Sequence, residues 1–471
     1  MIYHHLFDKL RKKDTVTAAI IGAGHYGTAI VTQQNYVERL SVPIIADTNP
    51  ESAKNAFLKA GIAQEKLIYA SASGAVIDAL SAGKYVYTDN AMLIMDIPQV
   101  DVVVEATGVP EAGAAYCRAA IENGKHIAAV SKEMCSCVGP VLRRLALEKG
   151  LVYSPVDGDQ PALLMQMVEW ARLTGLTVIS AGKARDAEFV LDEKKRTVCV
   201  KADGITVHED AVAEIPQSSM KYFEMIPPGA GAAREYVDRR MEALRDLPLA
   251  GDFDLCELTL IANATGLHPD IPETSRAPLR ITELPVAYCC AKNNGIYKDE
   301  GVVDVHTNLR RADESGMGGG VYMVVRCENA YSHYILTTKG QIPNHDSSTA
   351  VIYRPYHLCG VETSTTLLCQ GLLGMDTGTR DYRPLYDFVK IAARDIAEGE
   401  TLGNDHDVRM RAIMVPATRR GPENPLPAHL ITGNTTRTPI RKGETITYSM
   451  IHEPAGSVLW DLRAKQEEMF A

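Results

Sequence analysis

An apolar run that breaks into three closely spaced glycines constrains the fold of this chain more than any other feature. The residues Ala18–Gly27 read AAIIGAGHYG, a G-x-G-x-x-G pattern that a helix-like segment follows. A strand, a tight phosphate-facing turn and a helix N-terminus need such glycines, because the backbone turns sharply and approaches a pyrophosphate closely. The next apolar run, Val42–Ala46, ends in Asp47, where a carboxylate can bind the ribose hydroxyls of adenosine. The residues expected to hold a dinucleotide are Gly22, Gly24, His25, Tyr26, Gly27 and Asp47.

Composition excludes several classes of function. The chain has 471 residues, enough for two to four domains, and a formal net charge of −10. This charge argues against a nucleic-acid or anionic-membrane partner, since both require a basic face. The ten cysteines lack the paired C-x-x-C spacing of a zinc site, and no run is apolar enough for a signal peptide or a membrane span. We therefore expect a cytoplasmic protein with reduced cysteines.

Short apolar runs alternate with helix-like stretches from Val16 to about Tyr153. The runs predicted as strands are Val16–Ile21, Val42–Ala46, Tyr85–Thr88, Val102–Ala106, Ile127–Val130 and Leu151–Pro155. Strands that alternate with helices predict a doubly wound parallel sheet, the Rossmann-type α/β fold. Ligands bind at the carboxyl ends of such strands. The further site residues expected on this ground are Thr107, Gly108, Ser131, Lys132 and Asp157–Pro161. The alternative is a glycine-rich turn in another kind of α/β unit.

Four stretches resemble the homoserine dehydrogenase family. VVVEATGVP (Val102–Pro110) and GKHIAAVSKEM (Gly124–Met134) resemble the E-x-T-G turn and the lysine-bearing strand of its nucleotide domain. PVDGDQPAL (Pro155–Leu163) is similar to its V-G-x-G-x-P loop. GVETSTTLLCQGLL (Gly360–Leu373) resembles the helix that returns to the nucleotide. The resemblance covers roughly residues 16–373 and is weak in the middle.

This resemblance implies roles for particular residues. Thr107 and Gly108 would face the nicotinamide, and Lys132 would be the active-site lysine. A lysine there would neutralise the alkoxide that forms when a carbonyl accepts a hydride. Lys183 is the second candidate for this role, on a run over Leu176–Leu191 that we expect to be a strand ending in a turn. The alternative for each lysine is a solvated side chain on a loop.

Carboxylates in the middle of the chain suggest a divalent cation. A predicted helix over Glu257–Ala264 resembles the family helix that carries a D-x-x-x-K pair, but Glu257 stands where that family has lysine. This exchange disfavours homoserine as the substrate. Asp157, Asp159 and Glu257, with Glu362 as a further possibility, are candidate ligands of Mg²⁺ or Mn²⁺ that would assist a ketol rearrangement. We also assign Asp159 and Glu257 as candidate catalytic groups. The alternative is that Asp157 and Asp159 cap the following helix.

Two further stretches have open interpretations. The glycines of GMGGGVY (Gly316–Tyr322) either expose backbone N–H groups to an anion or form a turn between strands. His357 is either a general acid or a hydrogen-bonded structural histidine.

The end of the chain resembles a SAF domain, a small β-clip module. Its "A-x-R-x-I-x-x-G-E" and basic "K-G-E" signatures match Ala392–Glu400 and Arg437–Glu444. A homoserine dehydrogenase-like body followed by a SAF domain resembles the 1-deoxy-D-xylulose 5-phosphate reductoisomerase-like (DRL) enzymes. We expect a Rossmann domain over 1–155, an α+β substrate and oligomerisation domain over 156–380, and an all-β SAF module over 381–471.

The sequence therefore predicts an NAD(P)-dependent oxidoreductase acting on a small polyhydroxylated, phosphorylated carbonyl compound. The resemblance implies a reductoisomerase activity in isoprenoid precursor synthesis and a homo-oligomer. The alternatives are a dehydrogenase of a hydroxy acid or sugar acid, and a non-catalytic dinucleotide-binding sensor. Asp47 favours NAD(H), because a 2′-phosphate would face like charge, whereas the resemblance favours NADP(H). We prefer NADP(H) slightly, since biosynthetic reductions use that pool.

Overall fold

The computed structural model describes residues 2–202 and 207–470. Its helices α1 to α14 are, in chain order, Ile2–Leu10, His25–Gln33, Pro50–Lys59, Ser73–Ser81, Pro110–Glu122, Lys132–Glu148, Gln160–Leu173, Ala232–Ala243, Asp252–Thr265, Leu284–Ala287, Ala330–Thr338, Thr363–Leu368, Ala428–Ile431 and Val458–Met469. Its strands β1 to β17 are Val16–Ile21, Leu40–Ala46, Leu67–Tyr69, Tyr85–Thr88, Val102–Glu105, His126–Ala129, Tyr153–Pro155, Thr177–Asp192, Thr197–Val200, Ala211–Glu214, Pro278–Leu279, Val302–Arg311, Val321–Arg326, Ile342–Pro343, Ala350–Arg354, Tyr386–Ala392 and Met410–Pro416.

The chain forms two compact units. The first comprises Met1–Ala162, Leu358–Met410 and Ala417–Ala471, and the second comprises Leu163–His357 and Arg411–Pro416. The predicted division into three domains stays a prediction. Within the described ranges, the structure contains no helix with the length and apolar character needed to cross a membrane.

The first unit contains the predicted parallel sheet. Its strand order is β3-β4-β2-β1-β5-β6-β7, and each neighbouring pair is parallel. The six predicted strands are all present, and β3 is a seventh that the sequence did not reveal. The winding direction reverses between β1 and β5, which is the switch point where ligands bind in such sheets. The prediction of a Rossmann-type α/β fold is confirmed.

The predicted returning helix packs onto this sheet. It consists of α12 and a π-helical turn over Cys369–Leu373. Leu367 and Leu372 are buried in the same apolar core as β1 and α2. A Cβ on Gly371 would lie 2.5 Å from the Val16 side chain, so glycine is required for this close approach.

The second unit is built on a mixed sheet. Six of its strands lie in the order β10-β9-β8-β13-β15-β14, and β12 pairs with β8 in parallel. The predicted turn around Lys183 is wrong, because β8 continues through Lys183 and Asp186 to Asp192. Hydrogen-bonded partners on both sides, β12 and β13, keep this backbone extended. Helix α9 packs with its residues from Asp254 to Thr265 buried.

The predicted SAF module is rich in β-structure. Antiparallel bridges join Val389 to Pro427, Ile391 to Thr445 and Ile396 to Ile440. Helix α13 lies within this part of the chain, and α14 follows it. The small C-terminal β module is therefore confirmed, with a helix added at its end.

Candidate active site

The glycine-rich turn after β1 has the geometry of a dinucleotide-binding turn. Gly22 has a φ of +103°, and a Cβ there would meet the Ala106 carbonyl oxygen. A Cβ on Gly27 would meet the Gly22 carbonyl oxygen, so glycine lets α2 lie close to the turn. Gly24 is the N-cap of α2, and no heavy atom lies within 4 Å of its Cβ position. Backbone N–H groups at a helix N-terminus that faces open space fit a pyrophosphate.

His25 and Tyr26, predicted to bind the cofactor, have different surroundings. His25 is the exposed first residue of α2. The Tyr26 hydroxyl donates to the Asp157 carbonyl oxygen at 3.3 Å and lies 3.2 Å from the Thr363 hydroxyl. Burial, with the charge of Asp159, raises the pKa of Tyr26 well above its usual value. Tyr26 therefore stays neutral and joins α2 to the loop after β7.

Asp47 lies at the same edge of the sheet, at the end of β2. Its two oxygens accept hydrogen bonds from the backbone N–H groups of Ala23 (2.7 Å) and Asn49 (2.8 Å). A cleft of about 280 Å³ opens beside it, with the glycine turn, Asp89 and Thr107 in its walls. In the described chain, the residues that line this cleft include no lysine or arginine. The glycine turn, the open space and the carboxylate fit the adenosine half of a dinucleotide.

A buried glutamate holds the next two strand ends together. Glu105 accepts hydrogen bonds at Oε1 from the Thr107 backbone N–H (2.9 Å), the Thr107 hydroxyl (2.6 Å) and the Ser131 hydroxyl (2.9 Å). The Ser131 hydroxyl in turn accepts from the Gly108 N–H at 2.8 Å. Burial raises the pKa of Glu105, although the hydrogen bonds from Thr107 and Ser131 lower it. The turn that we expect beside the nicotinamide is thus fixed relative to the start of α6.

Lys132, the first residue of α6, lies next to Asp159. Its Nζ is 3.4 Å from Asp159 Oδ2, and its side chain is 22% exposed, against 7% for the aspartate. Asp159 directly precedes α7, and its Oδ1 also accepts from the Gln160 N–H at 2.9 Å. The structure therefore brings two predicted catalytic residues together and leaves the lysine partly open to solvent.

The backbone of Asp157 is bound on both sides by hydroxyl groups. Its N–H donates to the Thr366 hydroxyl and its carbonyl oxygen accepts from the Thr363 hydroxyl, each at 2.8 Å. Both threonines belong to α12. The loop after β7 is therefore held by the predicted returning helix.

The second unit contains a buried lysine between two carboxylates. Lys183 Nζ lies 2.9 Å from Asp254 Oδ1 and forms a short ion pair with Glu257 Oε2. Asp254 and Glu257 are three residues apart on α9, so they lie on one face of the helix. Burial alone would lower the pKa of Lys183, but the charges of Asp254, Glu257 and Asp186 raise it above its usual value. Lys183 is therefore a fixed positive charge.

Asp186 and His357 lie close together at one glycine of the GMGGG turn. A Cβ on Gly319, where φ is +73°, would lie 2.6 Å from Asp186 Oδ1 and 2.8 Å from the His357 ring. His357 Nδ1 is 2.7 Å from the Gly319 carbonyl oxygen. Burial raises the pKa of Asp186, although the charges of Lys183 and His357 lower it. These glycines form the turn between β12 and β13 that the sequence allowed as one alternative.

The carboxylates predicted to bind a divalent cation are arranged differently from a metal site. Asp159 and Glu257 each lie against a lysine, which supplies the positive charge there. The described ranges contain no group of three or more His, Cys, Asp or Glu side chains that could hold a metal ion. The divalent cation stays a prediction from the sequence.

The sequence alone predicts no role for Glu105 or Asp254. A signal for Glu105 is its position at the end of the apolar run VVVE, because a glutamate buried there needs a partner. Asp254 had one too, because its spacing of three from Glu257 places both carboxylates on one helix face. Neither signal identifies the partners, which are Thr107 and Ser131 for Glu105 and Lys183 for Asp254.

The parallel sheet, the glycine turn and the carboxylate at the end of β2 define a Rossmann-type, dinucleotide-binding protein. Two family profiles refine this class: "Oxidoreductase DRL, catalytic domain" matches residues 158–227 and 250–363, and "SAF domain" matches residues 389–452. The chain therefore contains an oxidoreductase catalytic domain of the DRL type and a SAF domain. The predictions of the family and of an oxidoreductase are confirmed at this level.

Curated relatives match over part of their length. A 1-deoxy-D-xylulose 5-phosphate reductoisomerase of Leptospira biflexa is 32% identical over 108 residues, which are 22% of this chain and 28% of that protein. A homoserine dehydrogenase of Methylobacillus glycogenes is 26% identical over 203 residues, which are 39% of this chain and 43% of that protein. The chain thus spans between about a quarter and two fifths of these relatives.

Solved structures match more weakly. The myo-inositol dehydrogenase of Lactobacillus casei, in complex with NAD(H) and myo-inositol, has a TM-score of 0.27 and 16% identity, covering 38% of this chain and 47% of that one. The 3-ketoreductase KijD10 of Actinomadura kijaniata, in complex with TDP-benzene and NADP, has a TM-score of 0.26 and 16% identity, covering 38% and 48%.

Proposed function

We propose that this protein uses NAD(P)(H) to interconvert a carbonyl and a hydroxyl group on a small polyhydroxylated, phosphorylated substrate. The observation that carries the proposal is the Lys132–Asp159 pair. It lies at the carboxyl edge of the same sheet whose neighbouring strand ends form the cofactor turn. The family profile for a DRL catalytic domain supports the same reaction class.

Different residues of the first unit would bind the cofactor and contact the substrate. The glycine turn would hold the pyrophosphate and Asp47 the adenosine ribose, while Glu105 fixes the turn at Thr107 and Gly108. The bound nicotinamide would accept or donate the hydride. Lys132 donates a hydrogen bond to the substrate oxygen and stabilises the negative charge that develops there, a contribution typical of a preorganised donor. Asp159 orients the ammonium group by its contact at 3.4 Å.

The charged cluster of the second unit is buried. Lys183, Asp254 and Glu257 carry a net charge of about −1 when all three are ionised, and their side chains are 3%, 8% and 2% exposed. We therefore infer that this cluster orders the interior of the second unit and does not contact the substrate.

The most specific form of the proposal is a reductoisomerase activity on 1-deoxy-D-xylulose 5-phosphate, which would belong to isoprenoid precursor synthesis. The Leptospira relative carries the name of this activity. The second candidate is a simple dehydrogenase of a hydroxy acid or sugar acid, favoured by the homoserine dehydrogenase relative. A rearrangement gains most from a chelating cation, and the lysine partners of Asp159 and Glu257 support reduction more than rearrangement.

For the cofactor, the cleft favours NAD(H) over the NADP(H) that the resemblance suggests. The 2′-phosphate of NADP(H) would enter a cleft whose walls include Asp47 and Asp89 and, in the described chain, no lysine or arginine. Like charges at such a site disfavour the phosphorylated ribose. The cytoplasmic location and the homo-oligomer stay predictions.

A substrate panel tests the proposal. The purified full-length protein is incubated with 1-deoxy-D-xylulose 5-phosphate, with homoserine and with a set of sugar acids, each with NAD(H) or NADP(H), and with Mg²⁺, Mn²⁺ or EDTA. Turnover of the first substrate supports the reductoisomerase, and turnover of a hydroxy or sugar acid alone supports the second candidate. Dinucleotide binding without turnover on any substrate would contradict the proposal and favour a sensor.

A further inference from the structure

The helix that presents Lys132 is held by the C-terminal segment, defined here as residues 382–470. This segment contains the part that matches a SAF domain. Lys132 is the first residue of α6, so any shift of this helix moves the lysine directly. Three side chains of the C-terminal segment bind the first two and a half turns of α6. These side chains are Tyr382, His429 and Gln466.

Gln466 binds α6 at its weakest point. Pro140 lies inside α6, where it lacks an N–H and its ring crowds the carbonyl of the preceding turn. The Gln466 amide donates to the Cys137 carbonyl oxygen and accepts from the Val141 N–H, each at 3.2 Å. These are the two groups that an undisturbed helix would pair with each other. A buried side chain from α14 thus stabilises the interrupted helix beside the proline.

Tyr382 makes the second contact. Its hydroxyl donates to the Cys135 carbonyl oxygen at 2.7 Å. A Cβ on Gly139 would lie 2.5 Å from the same hydroxyl oxygen, so this approach requires a glycine one turn later. The tyrosine ring therefore lies directly against the helix backbone.

His429 makes the third contact, through a buried ionic group. Its Nδ1 lies 3.3 Å from the Ser136 hydroxyl and its Nε2 lies 2.9 Å from Asp405 Oδ2. Lys390 Nζ lies 2.9 Å from the other oxygen of Asp405. Burial alone would raise the pKa of Asp405, but its hydrogen bond with His429 and the charge of Lys390 lower it strongly. The carboxylate stays charged and fixes the imidazole.

The C-terminal segment also reaches the edge where the cofactor is expected. A cleft of about 320 Å³ lies between this segment and α5, with Val109, His429 and Trp460 in its walls. Val109 also lines the cofactor cleft. Glu111 accepts hydrogen bonds from the first N–H groups of α14, including that of Val458 at 2.7 Å. The C-terminal segment therefore contacts both α6 and α5, the helix that follows the turn at Thr107 and Gly108.

We propose that the C-terminal segment is a positioning element of the active site, which sets the place of Lys132 through Gln466, Tyr382 and His429. Within the first unit, it binds the lysine-bearing helix within ten residues of the lysine itself. An assembly or recognition module would not need three buried polar contacts to this one helix. The inference rests on the proposed role of Lys132.

The expected consequence is a selective loss of turnover. A misplacement of about 1 Å at a reacting group lowers the rate about 100-fold. Gln466→Met keeps the side-chain length and removes both hydrogen bonds to α6. Lys465→Met, on the exposed side of the same helix, is the matched control. We expect kcat to fall between about 10- and 100-fold in Gln466→Met, with KM and dinucleotide affinity changed less than about twofold.

A double-mutant cycle separates positioning from general damage. If Gln466 acts through Lys132, then Gln466→Met will lower kcat much less in a Lys132→Ala background than in the wild type. Equal losses in both backgrounds, or equal values for Gln466→Met and Lys465→Met, would overturn the inference. Tyr382→Phe removes a single hydroxyl and serves where Gln466→Met does not fold. For Tyr382→Phe we expect the same selective fall of kcat, smaller than that of Gln466→Met.

A second readout does not depend on activity. Lysines are reductively methylated with a ¹³C label, and the Lys132 methyl signal is assigned by its loss in Lys132→Arg. We expect this signal to shift in Gln466→Met and Tyr382→Phe and to stay in place in Lys465→Met. An unmoved signal contradicts the inference even if the enzyme is active. A shifted signal in a protein without turnover contradicts the proposed function alone.

Discussion

Two lysines with carboxylate partners, one in each unit, have contrasting surroundings. Lys132 lies 3.4 Å from Asp159, and its side chain is 22% exposed. Lys183 lies between Asp254 and Glu257 and is 3% exposed. An ammonium group has three donors, and at Lys183 two of them face carboxylates inside the protein. The comparison indicates that Lys132 is suited to contact a substrate, whereas Lys183 orders its own surroundings.

The local folds explain this difference. Lys132 follows a strand of a parallel sheet, at the edge where such folds bind ligands. Lys183 lies in the middle of β8, with β12 and β13 paired on either side, and α9 supplies both of its partners. A lysine in the centre of a sheet has no access to solvent, so it needs buried counter-charges to remain ionised.

The largest effect is expected when the buried lysine is removed. Lys183→Met leaves Asp254 and Glu257 buried without their cation, which destabilises the fold by about 3–5 kcal/mol. The measurement is urea-induced unfolding followed by tryptophan fluorescence. Trp170 lies in the same unit as Lys183 and Trp460 lies in the other. Trp460→Phe in every variant therefore makes the signal report on the second unit.

Two controls define this prediction. Lys194→Met removes an exposed lysine beyond the same strand and should change the free energy of unfolding by less than about 0.5 kcal/mol. Lys183→Met combined with Glu257→Gln removes one of the stranded charges and should recover part of the lost stability. An unchanged urea midpoint in Lys183→Met would show that the two lysines do not differ as argued.

The second largest effect is expected at Lys132. Lys132→Ala removes a donor that would stabilise charge on the substrate oxygen, which lowers kcat about 100- to 1,000-fold. Its partial exposure predicts little loss of stability. Steady-state kinetics on the substrate found by the panel, together with dinucleotide titration by fluorescence, measure both properties. Lys132→Arg keeps the charge and should recover part of the rate, while a full rate in Lys132→Ala would exclude this lysine from the mechanism.

The two lysines also show what a sequence can predict. Lys132 follows a short apolar run in a βα pattern, so its strand-end position is readable from local periodicity and glycine spacing. For the same reason all six predicted strands begin and end within about two residues of the observed strands. The exact matches are Val16–Ile21 and Tyr85–Thr88.

The surroundings of Lys183 were not readable in this way. Its charged neighbours Arg185 and Asp186 suggest a turn, because charged residues are rarely buried. In the structure, Asp254 and Glu257, about 70 residues away in sequence, neutralise the lysine and make a continuous strand possible. The hydrogen bonds of Gln466 to the helix of Lys132 join residues still farther apart, 325 and 329 positions in sequence. Local patterns identify elements, whereas buried charge pairs depend on tertiary partners that no local pattern contains.

A smaller effect is expected at Asp47, the carboxylate that we propose for the adenosine ribose of the cofactor. Asp47→Asn removes one negative charge from the cleft while keeping a hydrogen-bond acceptor for the turn. We expect the Kd for NADP(H) to fall about tenfold relative to that for NAD(H), or about 1.4 kcal/mol. Asp96→Asn lies outside the residues that line the cleft and is the control. If the wild type already prefers NADP(H) strongly, a group outside the cleft walls must bind its 2′-phosphate.

The smallest effect is expected from a chelator, and it tests what the two lysines have in common. Asp159 and Glu257 are the carboxylates that the sequence suggests for a divalent cation, and each already has an ammonium group beside it. A cation at either carboxylate would have to displace or repel that lysine. We therefore expect the reduction to proceed without a divalent cation, so that EDTA changes kcat less than about twofold. A complete loss that Mn²⁺ or Mg²⁺ restores would show that the lysines move aside, and it would favour the metal-assisted rearrangement over simple reduction. In that case Glu257→Gln should raise the half-saturating concentration of Mn²⁺, while Lys194→Met should leave it unchanged.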